Sequence, residues 1–323
     1  MKRRTLLQAA AAVALPVQRA LAEPGFPTKT LRYIVPVAVG GGSDLVGRTV
    51  TERWGRALKQ VFVVDNIGGG GGVLACQAAI RAPADGYTLL QAYVATHGTS
   101  PATRVLPYDP IKDFTPVGMI GGTPNVLVIN SNLSARTLKE FLEYVRKNPG
   151  RLSYGSAGQG SLTHLNMELF KQQVGSFMVH IPYRGIAPAF NDLIGGQTQA
   201  MFPGLAAAMP HIRSGRARPL AITGQNRHPL LKEVPTLEES GFRGFDAQQW
   251  YGVVGPAGLP ADVVKTLSDT LVLTLQAPDM ADKLAIEAIE PRPMTPEAFG
   301  KFIKADIARW TQLVKDRNIQ LEG

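Results

Sequence analysis

The chain has 323 residues, 34 Lys and Arg against 25 Asp and Glu for a formal charge of +9, and one cysteine. That length accommodates two domains with sizeable cores, and a lone Cys76 excludes an intramolecular disulfide. The basic residues are scattered and not interleaved with aromatics, which excludes a nucleic-acid surface, while a mild positive field favours acidic solutes.

Lys2, Arg3 and Arg4 make a basic start, followed by an apolar run over 6–17 and the A-x-A pattern Ala20-Leu21-Ala22. The apolar run is too short for the roughly 20 residues of a bilayer span. Basic, apolar and small-residue blocks in that order predict a signal peptide over 1–22, cleaved before Glu23. Arg3-Arg4-Thr5-Leu6-Leu7 also matches a twin-arginine signal, so both export routes stay open. Loss of Lys2, Arg3, Arg4 and Arg19 lowers the charge of the mature chain to +5. No later stretch is apolar for long enough to span a membrane.

The rest alternates strand-like and helix-like patterns. A strand is expected over 31–37 and a helix over 44–59, with Val46, Val50, Trp54 and Leu58 four apart on one face. A strand over 61–66, a helix over 73–82 and a strand over 87–95 follow. Cys76 lies in the Ala-rich helix and reads as a small buried hydrophobe. Proline-rich residues 100–116 read as irregular. A strand over 125–130 leads to a helix over 137–147, whose Thr137-x-x-Glu140 is a capping box. Next come a strand over 152–156 and a helix over 161–174 capped by Ser161. Strands over 177–183, 198–202 and 218–223 have short helices between them. A strand over 249–254 precedes a tail that reads as helical, its last helix running from 296 to about 315.

Alternating β and α elements with nearly continuous apolar strands predict parallel sheets covered on both faces. The pattern restarts near Asn125, so the expectation is two α/β domains: 23–124 with 249–323, and 125–248. Strands crossing between them take the place of a linker. In such sheets ligands lie beyond the carboxyl ends of the strands.

Three glycine turns sit at such ends. Gly40-Gly41-Gly42-Ser43-Asp44 follows the first strand and opens a helix. Its backbone amides and the positive helix end make an anion cradle. The amides of Gly41, Gly42 and Ser43 are the candidate donors, while Asp44 caps the helix and braces the loop. The run 68–72 follows the second strand. Gly70-x-Gly72-x-x-Ala75 fits a loose dinucleotide fingerprint, but the next strand does not end in the ribose-binding acid such a site needs. The third turn, 155–161, offers the hydroxyls of Ser156 and Ser161 and amides that include Gly160. His164 follows one helical turn later, as a second jaw or as a structural histidine.

Signals for catalysis are weak. The G-x-S-x-G elbow is absent, and no H-E-x-x-H or cysteine pair supports a metal. His97, His180, His211 and His228 are isolated in sequence. A triad assembled in space escapes such a search. No cofactor, no metal and no enzymatic activity are expected. Trp250-Tyr251 reads as core, or as a cleft wall able to stack on a ligand.

Several strings occur in a specific order: Phe26-Pro27-Thr28-Lys29, the loop 40–44, Val64-Asp65-Asn66, Asp85-Gly86-Tyr87-Thr88-Leu89-Leu90, Leu106-Pro107-Tyr108-Asp109-Pro110, Asn148-Pro149-Gly150, Tyr154-Gly155-Ser156, Pro182-Tyr183-Arg184-Gly185, Val234-Pro235-Thr236 and Trp250-Tyr251-Gly252. With them the chain resembles, over nearly its whole mature length, the substrate-binding proteins of tripartite tricarboxylate transporters, the TctC or Bug receptors. The resemblance implies a type II periplasmic-binding-protein-like fold, two α/β domains around a ligand cleft. It implies a periplasmic, monomeric protein that does not span the membrane and delivers a small carboxylate to a large and a small membrane transporter subunit. It adds Ala38, whose carbonyl faces a bridging water, and Thr96, at a position where the family has a cleft hydroxyl. Family members often carry Pro at the position of Val39, Asp at that of Gln199, and Asp-Asn where this chain has Pro203-Gly204. The last pair lies at a strand end facing the cleft, so the expected ligand lacks a basic group and is an apolar or aromatic acid. The rivals are a nucleotide-dependent oxidoreductase and an exported hydrolase.

Overall fold

The computed structural model describes residues 25–40, 42–243 and 245–319. The segment 1–22 expected to be a signal peptide and Gly41 lie outside the described residues.

The first half builds β1 (Leu31–Val35), α1 (Gly42–Leu58), β2 (Phe62–Asn66), α2 (Val73–Ile80), β3 (Thr88–Tyr93), α3 (Ser100–Thr103) and β4 (Phe114–Pro124). Then come β5 (Val126–Asn130), α4 (Leu138–Lys147), β6 (Ser153–Ser156), α5 (Leu162–Val174), β7 (Val179–Pro182) and α6 (Ile186–Ile194). These are followed by β8 (Ala200–Met201), α7 (Leu205–Arg213) and β9 (Ala217–Ile222). The chain ends with β10 (Gln248–Pro256), α8 (Ala261–Leu275), α9 (Pro278–Ala285), β11 (Glu290–Met294) and α10 (Pro296–Asp316).

Two sheets organise these elements, in the orders β11-β4-β10-β3-β1-β2 and β7-β6-β8-β5-β9. Both are mixed, which corrects the expectation of parallel sheets. β1, β2 and β3 run parallel, but β10 is antiparallel to β3 and β4, and β11 to β4. In the second sheet β5 is antiparallel to β8 and β9. The reversal follows from the connections. β4 passes into β5 with only Asn125 between them, and the chain returns from β9 into β10. The crossing is pinned: Asn125 N–H donates to Thr223 Oγ1 (2.8 Å), and Thr223 N–H donates to the Asn125 carbonyl (2.8 Å).

β4 begins inside the stretch 100–116 expected to be irregular and continues through residues 117–124, which carried no assigned element, and β11 is a strand where a helical tail was expected. Gly118, Gly121, Gly122, Pro116 and Pro124 punctuate β4 and mask its apolar pattern. Gly121 is needed for close approach, since a Cβ there would lie 2.3 Å from the Glu290 carbonyl oxygen. β11 holds two prolines, tolerated because it is an edge strand.

Helix signals were read correctly where they are local. Val46, Val50, Trp54 and Leu58 are all buried on one side of α1. Thr137 accepts from Glu140 N–H at the start of α4, while the Glu140 carboxylate reaches back to Arg136 N–H. Ser161 caps α5, and Cys76 is fully buried. One face of the first sheet carries α1, α8 and α9, centred on Trp54 and Leu267. α10 packs on β4 and also on α5, so one core runs continuously from the first lobe into the second through Trp310, Leu313 and Phe170. Arg317, just past α10, donates to Glu168 Oε2 on α5 at 3.0 and 3.2 Å and ties the lobes again.

Candidate functional site

The carboxyl ends of β1, β2 and β3 place residues 36–40 with Gly42, 67–72 and 94–99 along one edge of the first sheet. Ala38, Val39 and Gly40 are exposed there. The two glycine runs touch: a Cβ on Gly68 would sit 3.1 Å from the Ala38 amide nitrogen. Asp44 braces the first loop. Its Oδ2 accepts from Gly40 N–H (2.9 Å), and its Oδ1 accepts from Arg48 Nε and Asn66 Nδ2 (both 2.9 Å). Burial works against its charge, but these donors outweigh it and hold the carboxyl below the usual carboxylate range. Asn66 Nδ2 also donates to the Val37 carbonyl, which fixes the loop to β2.

Gly42 begins α1, whose 17 residues direct their positive end at this edge. Ser43 Oγ accepts from the Gln91 side-chain amide, Nε2, at 2.7 Å, so its own hydroxyl proton is left to donate elsewhere. Thr96 is fully buried. Its hydroxyl donates to the Tyr93 carbonyl (3.2 Å), accepts from Tyr93 N–H (3.3 Å) and lies 2.9 Å from His97 Nδ1, so it closes the turn after β3.

The second sheet contributes residues 156–161 from the carboxyl end of β6. Ser156 Oγ lies 3.1 Å from both the Gly158 carbonyl, to which it donates, and the Gly158 N–H, from which it accepts. It also lies 2.6 Å from His180 Nε2. Ser161 Oγ donates to the Gly158 carbonyl (2.6 Å) and accepts from His164 N–H. Gly160 N–H donates to His164 Nδ1 (3.1 Å), which puts the neutral ring's proton on Nε2. The Gly160 amide is therefore engaged within the protein. Gly160 instead marks where the lobes meet: its φ is +69°, and a Cβ there would lie 2.7 Å from Thr103 Oγ1 on α3 of the first lobe.

His180 was read as isolated, and the structure corrects this. The parallel register of β6 and β7 sets Tyr154 opposite His180 and Ser156 opposite Pro182. His180 lies near-parallel to both Tyr154 (4.9 Å between centroids) and His164 (4.0 Å), which are themselves 6.4 Å apart. Burial pushes His164 down to about 4 and His180 down to about 3, so both rings are neutral at neutral pH. Only the pairing of β7 with β6 could have revealed this neighbour.

Pro203, at the end of β8, is buried, and its carbonyl accepts from Val126 N–H (2.9 Å). Trp250 lies in the core, 1% exposed, with Nε1–H donating to Asp306 Oδ2 (2.9 Å) and Phe299 and Phe302 edge-on to its ring. A cavity of about 1200 Å³ between α8 and α10 contains none of the candidate residues. Among the described residues no group of three His, Cys, Asp or Glu is placed to hold a metal, and no helix is long and apolar enough to cross a membrane.

Residues 46–319 match the family described as tripartite tricarboxylate transporter family receptor. The chain is 33% identical over 300 residues to Protein BugT of Bordetella pertussis, covering 92% of each. A solved periplasmic transporter is 42% identical, with a TM-score of 0.80 over 92% of this chain and 100% of that one. The R. palustris protein Rpa4515, solved with adipate, is 33% identical with a TM-score of 0.81 over 92% and 100%. MatC of Rhodopseudomonas palustris, solved with bound malate, is 31% identical with a TM-score of 0.75 over 90% and 100%. The chain belongs to the receptors of the tripartite tricarboxylate transporter family.

Proposed function

We propose that this protein is a periplasmic receptor that captures a small carboxylate between its two lobes and, as a monomer, delivers it to the large and small membrane subunits of a tripartite transporter. The lobes are residues 23–124 with 249–323, and 125–248. The observation that carries the reading is that the 156–161 turn of the second sheet meets Thr103 on α3, in the helical stretch that follows β3 on the edge that also carries the glycine loop at the start of α1. Two solved relatives hold small carboxylates, adipate and malate.

In this reading the amides of Gly41, Gly42 and Ser43 and the free Ser43 hydroxyl proton grip the anion, helped by a water held on the Ala38 carbonyl. Ser161 forms the opposite wall, and His164, whose Nδ1 accepts from Gly160 N–H and whose Nε2 edge faces the buried Glu168, braces that turn from behind. Ser156, Gly160, Thr96 and Asp44 hold the turns in shape, Pro203 shapes the floor and Trp250 stabilises the hinge strand. A charge-assisted hydrogen bond contributes about 1.5–3 kcal/mol, so a few of them, less association costs, reach micromolar affinity.

A thermal-shift screen of mono-, di- and tricarboxylates tests this. A ligand at about 100 times its Kd stabilises by about 2.7 kcal/mol. Stabilisation by at least one carboxylate is expected, and none across the screen refutes the reading. Parallel assays for ester hydrolysis and for NAD binding address the rivals. Ser156, fully buried and turned back on Gly158, is poorly placed as a nucleophile.

A further inference from the structure

Glu287 is a carboxylate that none of the sequence motifs singled out. It follows α9 in a tight turn in which Ala288 N–H donates to the Ala285 carbonyl and Ile289 N–H to the Leu284 carbonyl (2.9 and 3.1 Å). Helices commonly end this way with glycine in the left-handed position. Here Ala288 occupies it, with φ of +51°. Ala288 is buried and belongs to the apolar cluster of the second sheet, with Val126 and Leu205. The turn is thus clamped between the lobes, and it aims Glu287 at the first glycine loop. A Cβ added to Gly42 would lie 2.5 Å from Glu287 Oε2. Glu287 is half-buried; its backbone N–H donates to the Leu284 carbonyl (3.0 Å), but its carboxylate has no hydrogen bond or ion pair among the described residues. A half-buried carboxylate with no donor, at the mouth of a site for anions, repels a plain acid and rewards any ligand that brings a donor.

We infer that Glu287 is the specificity-determining residue of this site, selecting acids with a hydrogen-bond donor, hydroxyl or ammonium, on a carbon next to the gripped carboxylate. This rests on the receptor reading above and revises the expectation of a purely apolar acid. Pro203-Gly204 supplies no acidic group from the second lobe, and Glu287 supplies one from the first.

The test is calorimetric titration of the mature protein and its Glu287→Leu and Glu287→Gln variants. The probes are two matched trios: succinate, malate and aspartate, then glutarate, 2-hydroxyglutarate and glutamate. In the unmodified protein a donor-bearing member should bind at least about 10-fold tighter than its plain diacid. Glu287→Leu should shrink that ratio to within about 3-fold and tighten the plain diacid, because the repulsion is gone. Glu287→Gln separates the two donors: its carbonyl still accepts from a hydroxyl, but it loses the charge that favours ammonium. Melting temperatures of the variants should match the parent, since Glu287 holds nothing. A preference for the plain diacid, or ratios unmoved in Glu287→Leu, overturns the inference while leaving the receptor reading intact. Failure of every carboxylate, these six and those of the thermal-shift screen, removes both.

Discussion

The imidazoles of His164 and His180 lie face to face, their ring centroids 4.0 Å apart and their planes 6° from parallel. Such a stack holds only while the rings are neutral, since two imidazolium ions at that distance repel. Burial supplies the condition by pushing one group down to about 4 and the other down to about 3.

Stability should therefore fall on acidification. Below the ordinary histidine value of 6.5 the unfolded chain takes up protons that the folded chain refuses, down to about 4 and 3. His97, fully buried and pushed down to about 3, adds to the same slope. The melting temperature should drop steadily between pH 6.5 and 4, less steeply in His180→Gln. Histidine ring resonances of His164 and His180 that titrate with midpoints near 6.5 would contradict this.

Glu168 is the most heavily engaged acid in the tie between the lobes. It is 6% exposed and accepts from Tyr154, Lys171 and Arg317. Burial disfavours its charge, but these donors outweigh it and hold the carboxyl below the usual range. Glu168→Ala leaves Lys171 buried without its counter-charge and should cost about 3–5 kcal/mol in urea denaturation. Arg317→Ala, at a partly exposed guanidinium, should cost about 1 kcal/mol or less. Equal costs would mean that the tie, not the burial of Lys171, carries the energy.

Two glycines should respond in opposite ways. Gly42 does not have a left-handed φ, and among the described residues a Cβ there would meet only the flexible end of Glu287. Gly42→Leu should leave the unliganded melting temperature near that of the parent and abolish the carboxylate-induced shift. Gly160→Ala places a Cβ against Thr103 in a left-handed residue, and should cost about 1–2 kcal/mol before any ligand is added. Differential scanning fluorimetry with and without ligand reads both.

Trp250→Phe keeps a ring against Phe299 but deprives the buried Asp306 of a donor. The expected outcome is a loss of about 1–3 kcal/mol in stability with ligand affinity unchanged. Loss of affinity at unchanged stability would put Trp250 in the site.

Much of the fold was legible because its signals are local. The face of α1, the Thr137 and Ser161 caps and the glycine turns at strand ends each depend on residues within a turn of one another. β4 and β11 were not legible. Their glycines and prolines read as breakers, and only the neighbouring strands show that Gly121 admits the Glu290 carbonyl and that β11 is an edge.

The sequence by itself determined the alternating α/β plan, the turns ahead of α1 and α5, and the family. Those depend on short-range periodicity, capping and an ordered string of motifs. Tertiary structure alone decided that His180 stands beside Ser156, that Trp250 is spoken for by Asp306, and that Glu287 faces Gly42. Strand register and the packing of distant helices set those pairings, and neither is written in the spacing of neighbouring residues.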